Sequence, residues 1–178
     1  MRRRRLPIPP PPPIAAIVVD GANVIAHDGA RACDRLELAE RWCRTFAPRL
    51  PIFVGIDRAT VAHLRQPQFV AQGQRLAAAL AAGRWHACPD EPPADAFLLR
   101  KAHDLTALLL SNDRFADHEE LRRNAMVLQF TIAGDRFMPA AEATWFRWPG
   151  HSRRQAVRQL LTTSDTMTTP APPGHFDQ

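Results

Sequence analysis

Short apolar runs alternate with longer helical patterns along this sequence, and this alternation constrains the fold more than any other feature. The apolar runs predict strands over residues 14–19, 51–56, 84–87, 107–110 and 125–132. The intervening patterns predict helices over residues 34–47, 68–82, 94–104, 115–124 and 152–161. Because strands that alternate with helices usually form a parallel sheet covered by helices, the sequence predicts an α/β protein.

Two glycines are expected to end elements. Gly83 closes the alanine-rich stretch RLAAALAAG, where a helix C-terminal cap is expected. Gly134, in IAGDRF, predicts a hairpin turn from the fifth strand to a short returning strand over 136–138 at the edge of the sheet.

The length of the chain favours one domain with tails. Its 178 residues, 46% of them hydrophobic, are enough to bury a core, and too few to favour two domains. The predicted domain covers 14–148, and a C-terminal helical segment follows over 149–162. The Arg- and Pro-rich arm 1–13 and the tail 163–178 are expected to be disordered.

Several classes of protein are disfavoured by composition. No apolar run approaches the roughly 18 residues that span a bilayer, and the start of the chain lacks the pattern of a secretory signal, so we expect no membrane contact and a cytoplasmic location. The three cysteines show no CxxC or Cys/His spacing, which predicts buried, reduced thiols rather than disulfides or a zinc site.

The net charge of +5 is concentrated in one place, since residues 2–5 are all arginine. The rest of the chain is therefore close to neutral. An arginine arm ahead of a proline run could attract phosphate non-specifically, and a tail without a partner is the equally open alternative.

Asp20 ends an apolar run in IAAIVVDGANVIAHDG. An Asp in this place can be a turn former or a helix cap, whose carboxylate accepts backbone N–H groups. It can also lie at the carboxyl end of a strand, where open α/β sheets bind their ligands. Both interpretations remain open on this segment alone.

Three more acids lie in ADAFLLRKAHDLTALLLSNDRFADHEE: Asp95, Asp113 and Asp117. If the first and fourth strands are neighbours, these acids and Asp20 converge at one crevice, with Asp113 and Asp117 on one face of a helical turn. Each also has a structural alternative: a helix N-cap for Asp95, a turn residue for Asp113, and a solvated acid in a helix's first turn for Asp117.

Four converging carboxylates would favour a divalent cation. Two carboxylates roughly 5 Å apart repel by about 3 kcal/mol at an effective dielectric constant near 20, and a cation removes that cost. Mg²⁺ or Mn²⁺ suits carboxylate and water oxygens, while Asn23 could hold a water or a phosphate oxygen. A metal held open in this way can hydrolyse phosphodiesters.

The segments VVDGANV, ADAFLLRKA, LLLSNDRFADH and GDRFMP, in this order, resemble the core of the NYN branch of PIN-like ribonucleases. The resemblance covers 14–139 and is strongest to the Regnase-like, CCCH zinc-finger ribonucleases, although this chain has no CCCH spacing. It implies a three-layer α/β/α fold with a mainly parallel, doubly wound sheet. It also implies a magnesium-dependent endoribonuclease acting on single-stranded or stem-loop RNA. A homodimer is a separate expectation.

The resemblance places the metal ligands at Asp20, Asp95, Asp113 and Asp117, with Asn23 as a polar catalytic residue beside them. Predicted substrate contacts are Ser111, Asn112, Arg114, Arg136 and Arg58.

Two departures from the family pattern motivate an alternative function. The family often has paired acids here, but Ala94 precedes Asp95, and the approach ACPDEPPAD is acidic and proline-rich where such enzymes often carry basic residues. The alternative is a catalytically weak or inert RNA-binding or interaction module on the same fold. A small-molecule phosphatase is less favoured, since the chain has no P-loop and no G-x-G-x-x-G.

Overall fold

The structure is a computed structural model, and it describes residues 14–29 and 32–139. The predicted arm 1–13, the C-terminal helical segment 149–162 and the tail 163–178 lie outside the described residues. Within them, no helix combines the length and the hydropathy that crossing a membrane requires.

Five strands form one parallel sheet in the order β3-β2-β1-β4-β5. They are β1 (Ala16–Asp20), β2 (Ile52–Ile56), β3 (His86–Ala87), β4 (Ala107–Leu110) and β5 (Met126–Leu128). The first and fourth strands are neighbours, as the convergence of the acids requires, since Val19 of β1 is in register with Leu110 of β4.

Helices cover both faces of this sheet, which confirms the three-layer α/β/α prediction. They are α1 (Gly21–Ala26), α2 (Asp34–Phe46), α3 (Arg58–Leu64), α4 (Val70–Ala81), α5 (Ala94–Asp104) and α6 (Glu119–Arg123). In β1, Ile17 and Val19 join the core formed with α1 to α4, while Ala16 and Val18 join the core formed with α5. Because strand side chains alternate between faces, a strand covered on both sides is apolar throughout, as β1 is.

Several elements end where the sequence predicts. Residues 94–104 and 107–110 form α5 and β4 with the predicted bounds. Gly83 follows α4 with a φ of 66°, the left-handed conformation expected after a helix. The three cysteines are buried free thiols, as predicted.

The predicted fifth strand is shorter than expected. The run 125–132 is interrupted at Gln129, and β6 (Phe130–Ala133) pairs antiparallel with β7 (Arg136–Pro139) in a separate two-stranded sheet. Gly134, with a φ of 58°, lies in the turn as predicted, but the hairpin is not an edge of the parallel sheet.

The predicted helix 115–124 also begins later than expected. Phe115 has a φ of 49°, so a 3-10 turn over Ala116–His118 precedes α6. Asp113 and Asp117 are therefore not on one face of a helix. The sequence patterns did not predict α1 and α3, which have only six and seven residues.

Gly21 allows α1 to begin directly at the end of β1. A Cβ atom at this position would lie 2.7 Å from Cγ1 of Ile56 and 2.9 Å from the backbone oxygen of Gly55. Only glycine fits against the end of β2 without displacing backbone.

Candidate active site

A cleft of about 170 Å³ opens at the carboxyl ends of β1, β2 and β4. Parallel neighbouring strands end at the same edge, so the residues that follow them meet there. The cleft is lined by Asp20, Ala22, Asn23, Asp57, Ala94, Asp95, Leu98 and Asp113. The structure thus brings together four of the five predicted catalytic residues.

Asp20 is both a helix cap and a residue of the cleft. It is 6% exposed, and its Oδ1 accepts a hydrogen bond of 3.1 Å from the backbone N–H of Asn23 in α1. Its Oδ2 accepts one of 2.7 Å from the hydroxyl of Ser111. Burial raises the pKa of Asp20 to about 7, although both hydrogen bonds oppose that shift.

Ser111 connects two acids of the cleft. Its hydroxyl donates to Asp20 and accepts a 3.0 Å hydrogen bond from the backbone N–H of Asp113. The predicted contact between Ser111 and substrate needs correction, because the residue is 0% exposed. Its place in the structure is that of a positioning residue beneath the cleft.

Asn112 holds the loop after β4 against α1 and the hairpin. Its backbone N–H donates to Oδ1 of Asn23 at 3.0 Å, and its own Oδ1 accepts from the backbone N–H of Phe130 at 2.9 Å. Asn112 was predicted to contact substrate, but its side-chain oxygen is used within the protein and the residue is not part of the cleft lining. Asn23, which accepts the hydrogen bond from the backbone of Asn112, does line the cleft.

Asp113 and Asp95 enter the cleft from different elements. Asp113 follows β4, and its Oδ1 accepts a 2.6 Å hydrogen bond from the backbone N–H of Phe115, as a turn-forming Asp does. Asp95 lies in the first turn of α5, whose N-cap is Pro93. Asp95 is therefore not the helix N-cap that the sequence offered as an alternative. Burial raises the pKa of Asp95, and the negative charge of Asp113 raises it further.

Asp117 does not line the cleft with the other predicted ligands. It is exposed in the 3-10 turn before α6. Its negative charge still contributes to the raised pKa of Asp95, as a smaller cause than burial and Asp113.

Asp57 is a cleft residue that the sequence analysis missed. It follows β2 and caps α3, accepting 2.6 Å and 2.7 Å hydrogen bonds from the backbone N–H and the hydroxyl of Thr60. The signal was present, because the segment IFVGID has the same apolar-run-then-Asp pattern as IVVD. Two strands that lie side by side thus end in similar Asp caps.

The three arginines predicted to contact substrate are exposed and lie outside the lining of the cleft. Arg58 adjoins Asp57 and forms an ion pair with Asp90 at 2.8 Å. Arg114 follows Asp113, and Arg136 lies on β7.

Solved structures share part of this arrangement of strands and helices. Two structures of Arabidopsis thaliana nuclear protein-only RNase P 2 (PRORP2) match with TM-scores of 0.54, at 19% and 18% identity. Each match covers 71% of this chain and 29% of the PRORP2 chain, so this chain spans less than a third of that protein. The chain has a PIN-like fold.

A third structure, the PIN domain endonuclease Utp24, matches at 16% identity with a TM-score of 0.37, over 70% of this chain and 90% of that one. No protein-family model and no curated protein sequence matches this chain. The comparisons therefore concern the fold.

The donor atoms of this cleft suit a hard divalent cation. Carboxylate oxygens are the ligands that Mg²⁺ prefers, and the ion usually takes one or two of them and completes its shell with water. Within residues 14–29 and 32–139, no three His, Cys, Asp or Glu side chains are grouped closely enough to hold one ion together. The cleft fits an ion held by a pair of carboxylates and water.

Proposed function

We propose that this chain is a metal-dependent endoribonuclease that hydrolyses RNA phosphodiester bonds in the cleft. One observation carries the proposal: Asp20, Asp95 and Asp113, from three separate elements, line one cleft. Burial is the largest cause of the raised pKa values of Asp20 and Asp95, and the charges of neighbouring acids raise both further. A bound cation would relieve this crowding of negative charge.

The fold supports RNA as the substrate. The matched PRORP2 structures carry the name of a ribonuclease, RNase P, although the low identity limits the likeness to the fold. We propose single-stranded or stem-loop RNA, Regnase-like relationships within the NYN branch, and the cytoplasm as the location, in line with the sequence motifs.

The residues of the cleft would have distinct roles. Two of the acids Asp20, Asp95 and Asp113 would hold Mg²⁺ or Mn²⁺ together with water, and Asp117 would add negative charge from outside the lining. A bound ion would supply Lewis acidity, lowering the pKa of a water and offsetting charge on the phosphate. Ser111 fixes the orientation of Asp20, and Asn23 presents a polar side chain to the phosphate.

Cleavage of a labelled single-stranded RNA tests this proposal. With Mg²⁺, the full chain should cut the RNA, and chelation should stop the reaction. The double substitution Asp20→Asn and Asp113→Asn should reduce the rate at least 100-fold while the protein still unfolds cooperatively. The matched control is Asp104→Asn, which removes an exposed acid at the far end of α5 and should leave the rate unchanged.

The alternative is RNA binding without turnover. It is favoured by Ala94, which lines the cleft where the ribonucleases that the sequence resembles often carry an acid. It is also favoured because, among the described residues, no three acids are close enough to hold one ion. RNA binding with no cleavage in Mg²⁺ or Mn²⁺ would support this alternative against the nuclease.

A further inference from the structure

A second group of side chains lies on the α5 face of the sheet, at its β2–β3 edge. Phe53 of β2 is at its centre, and the ring of His86 stacks on it with centroids 4.6 Å apart and planes 3° from parallel. Phe97 of α5 makes a tilted contact with Phe53 at 6.2 Å. The Nζ atom of Lys101 lies 5.0 Å from the centroid of the Phe53 ring. We call these four residues the stacking platform.

The outer part of the stacking platform is accessible to solvent. Both residues of β3, including His86, are exposed, and β3 pairs only with β2 among the described strands. Within the stacking platform, Phe53 therefore covers one face of the His86 ring and no side chain covers the other face.

Lys101 gives the stacking platform an available positive charge. It is the single lysine of the chain. Among the described residues it contacts the Phe53 ring and forms no ion pair with a carboxylate. An ammonium group without a carboxylate partner, beside the ring on which the exposed His86 stacks, is suited to a phosphate next to a base.

The stacking platform lies close to the cleft. Asp57 stands four positions after Phe53, which is about 13 Å along an extended chain. Lys101 stands six positions after Asp95, which is about 9 Å along a helix. Both elements therefore lead from the cleft to the stacking platform on one face of the sheet.

We propose that the stacking platform is a subsite for an unpaired base of a single-stranded nucleic acid whose phosphate occupies the cleft. The base stacks on the outer side of His86, and Lys101 contacts a neighbouring phosphate. This inference rests on the proposed function, because it assigns a second part of the same substrate.

Packing of the sheet edge alone explains only part of this arrangement. Phe53 and Phe97 are half-buried against the α5 core, as packing requires. Packing does not require a polar ring, exposed to solvent, to lie parallel on Phe53, nor an unpaired ammonium group beside it. The two partly polar members, His86 and Lys101, are therefore the residues to test.

Equilibrium binding of a fluorescent single-stranded RNA measures the contribution of His86. The full chain should carry Asp20→Asn and Asp113→Asn, which strongly slow cleavage under the proposed function. In this background, His86→Ala should weaken binding about 5-fold or more, the lower range for loss of one base–aromatic stack. His86→Phe should restore binding, and His103→Ala, an exposed histidine at the end of α5, should have no effect.

Two further comparisons separate stacking from charge. Lys101→Gln should weaken binding and reduce the slope of log affinity against log salt by about 0.7, as expected for one lost phosphate contact with a single strand. Arg100→Gln removes a charge from the neighbouring exposed position and should leave that slope almost unchanged. With an oligonucleotide of equal length that lacks bases, His86→Ala should have no effect.

The results distinguish failure of the stacking platform from failure of the nuclease. If the wild-type chain cuts RNA but His86→Ala binds as tightly as its parent, the stacking platform is wrong and the nuclease stands. If the wild-type chain neither cuts nor binds RNA, both are wrong. If His86→Ala weakens binding to the base-free oligonucleotide equally, stacking is contradicted.

Discussion

Asp20 combines two roles that the sequence presents as alternatives, a helix cap and a residue of the acidic cleft. Its carboxylate is oriented by Asn23 and Ser111 and remains part of the cleft lining. The sequence placed Asp20, Asp95 and Asp113 at one edge because each is adjacent to a predicted strand or helix end. It could not show that Ser111 is buried, because burial of a hydroxyl depends on the residues that cover it.

The raised pKa of Asp20 predicts a pH-dependent stability in metal-free protein. Its pKa is about 7 in the folded state, against 3.8 for an unperturbed Asp side chain. Between these values the folded state keeps a proton that the unfolded state loses, so the free energy of unfolding should fall as pH rises from about 4 to 7, and then level off. The decrease in the free energy of unfolding from this group is on the order of 4 kcal/mol.

Urea unfolding at pH 5 and pH 8, in a chelator, measures this effect. Relative to the wild type, Asp20→Asn should be more stable at pH 8 than at pH 5, because Asn carries no charge that must be buried at pH 8. Equal differences at both pH values would show that Asp20 titrates normally.

Ser111→Ala should destabilise the protein and disturb the cleft. The substitution removes a buried donor to Asp20 and the acceptor for the backbone N–H of Asp113. We expect the free energy of unfolding, measured in urea, to decrease by about 1–3 kcal/mol. Thr45→Ala, which removes an exposed hydroxyl bonded to the backbone oxygen of Arg41, is the control and should cost much less. Equal losses in both variants would contradict the positioning role of Ser111.

Among the elements, the long ones were predictable and the short ones were not. Helix α5 has the predicted bounds because its apolar residues recur over three turns. Helices α1 and α3 are too short for such a pattern, and each begins at an Asp that caps it just after a strand. Missing α3 also meant missing Asp57, because its place in the cleft depends on where β2 ends.

Gly21→Ala tests the close approach of α1 to β2. The added methyl group would overlap Ile56 and the backbone of Gly55, so the start of α1 must move. We expect a loss of about 1–3 kcal/mol in unfolding free energy, as for overpacking elsewhere. Since Gly21 follows Asp20 directly, RNA cleavage should fall as well. A variant as stable and active as the wild type would show that the strand end tolerates a side chain.

At the scale of the whole molecule, the alternation of strands and helices was sufficient to predict a parallel three-layer fold. The order of the strands was not predictable from alternation, and the convergence of the acids depended on the assumed pairing of β1 with β4, which the structure confirms. The position of the hairpin outside the parallel sheet was not predictable, because the break at Gln129 carries no glycine or proline signal.

The central claim is that Asp20, Asp95 and Asp113 form one cation-binding cleft. Calorimetric titration of Mn²⁺ into the full chain at pH 7.5 tests it most directly. We predict saturable binding by the wild type and by Asp104→Asn, with affinity at least 10-fold weaker in the variant that carries Asp20→Asn and Asp113→Asn. Equal Mn²⁺ affinity in the wild type and that variant, with both proteins folded, would contradict the claim.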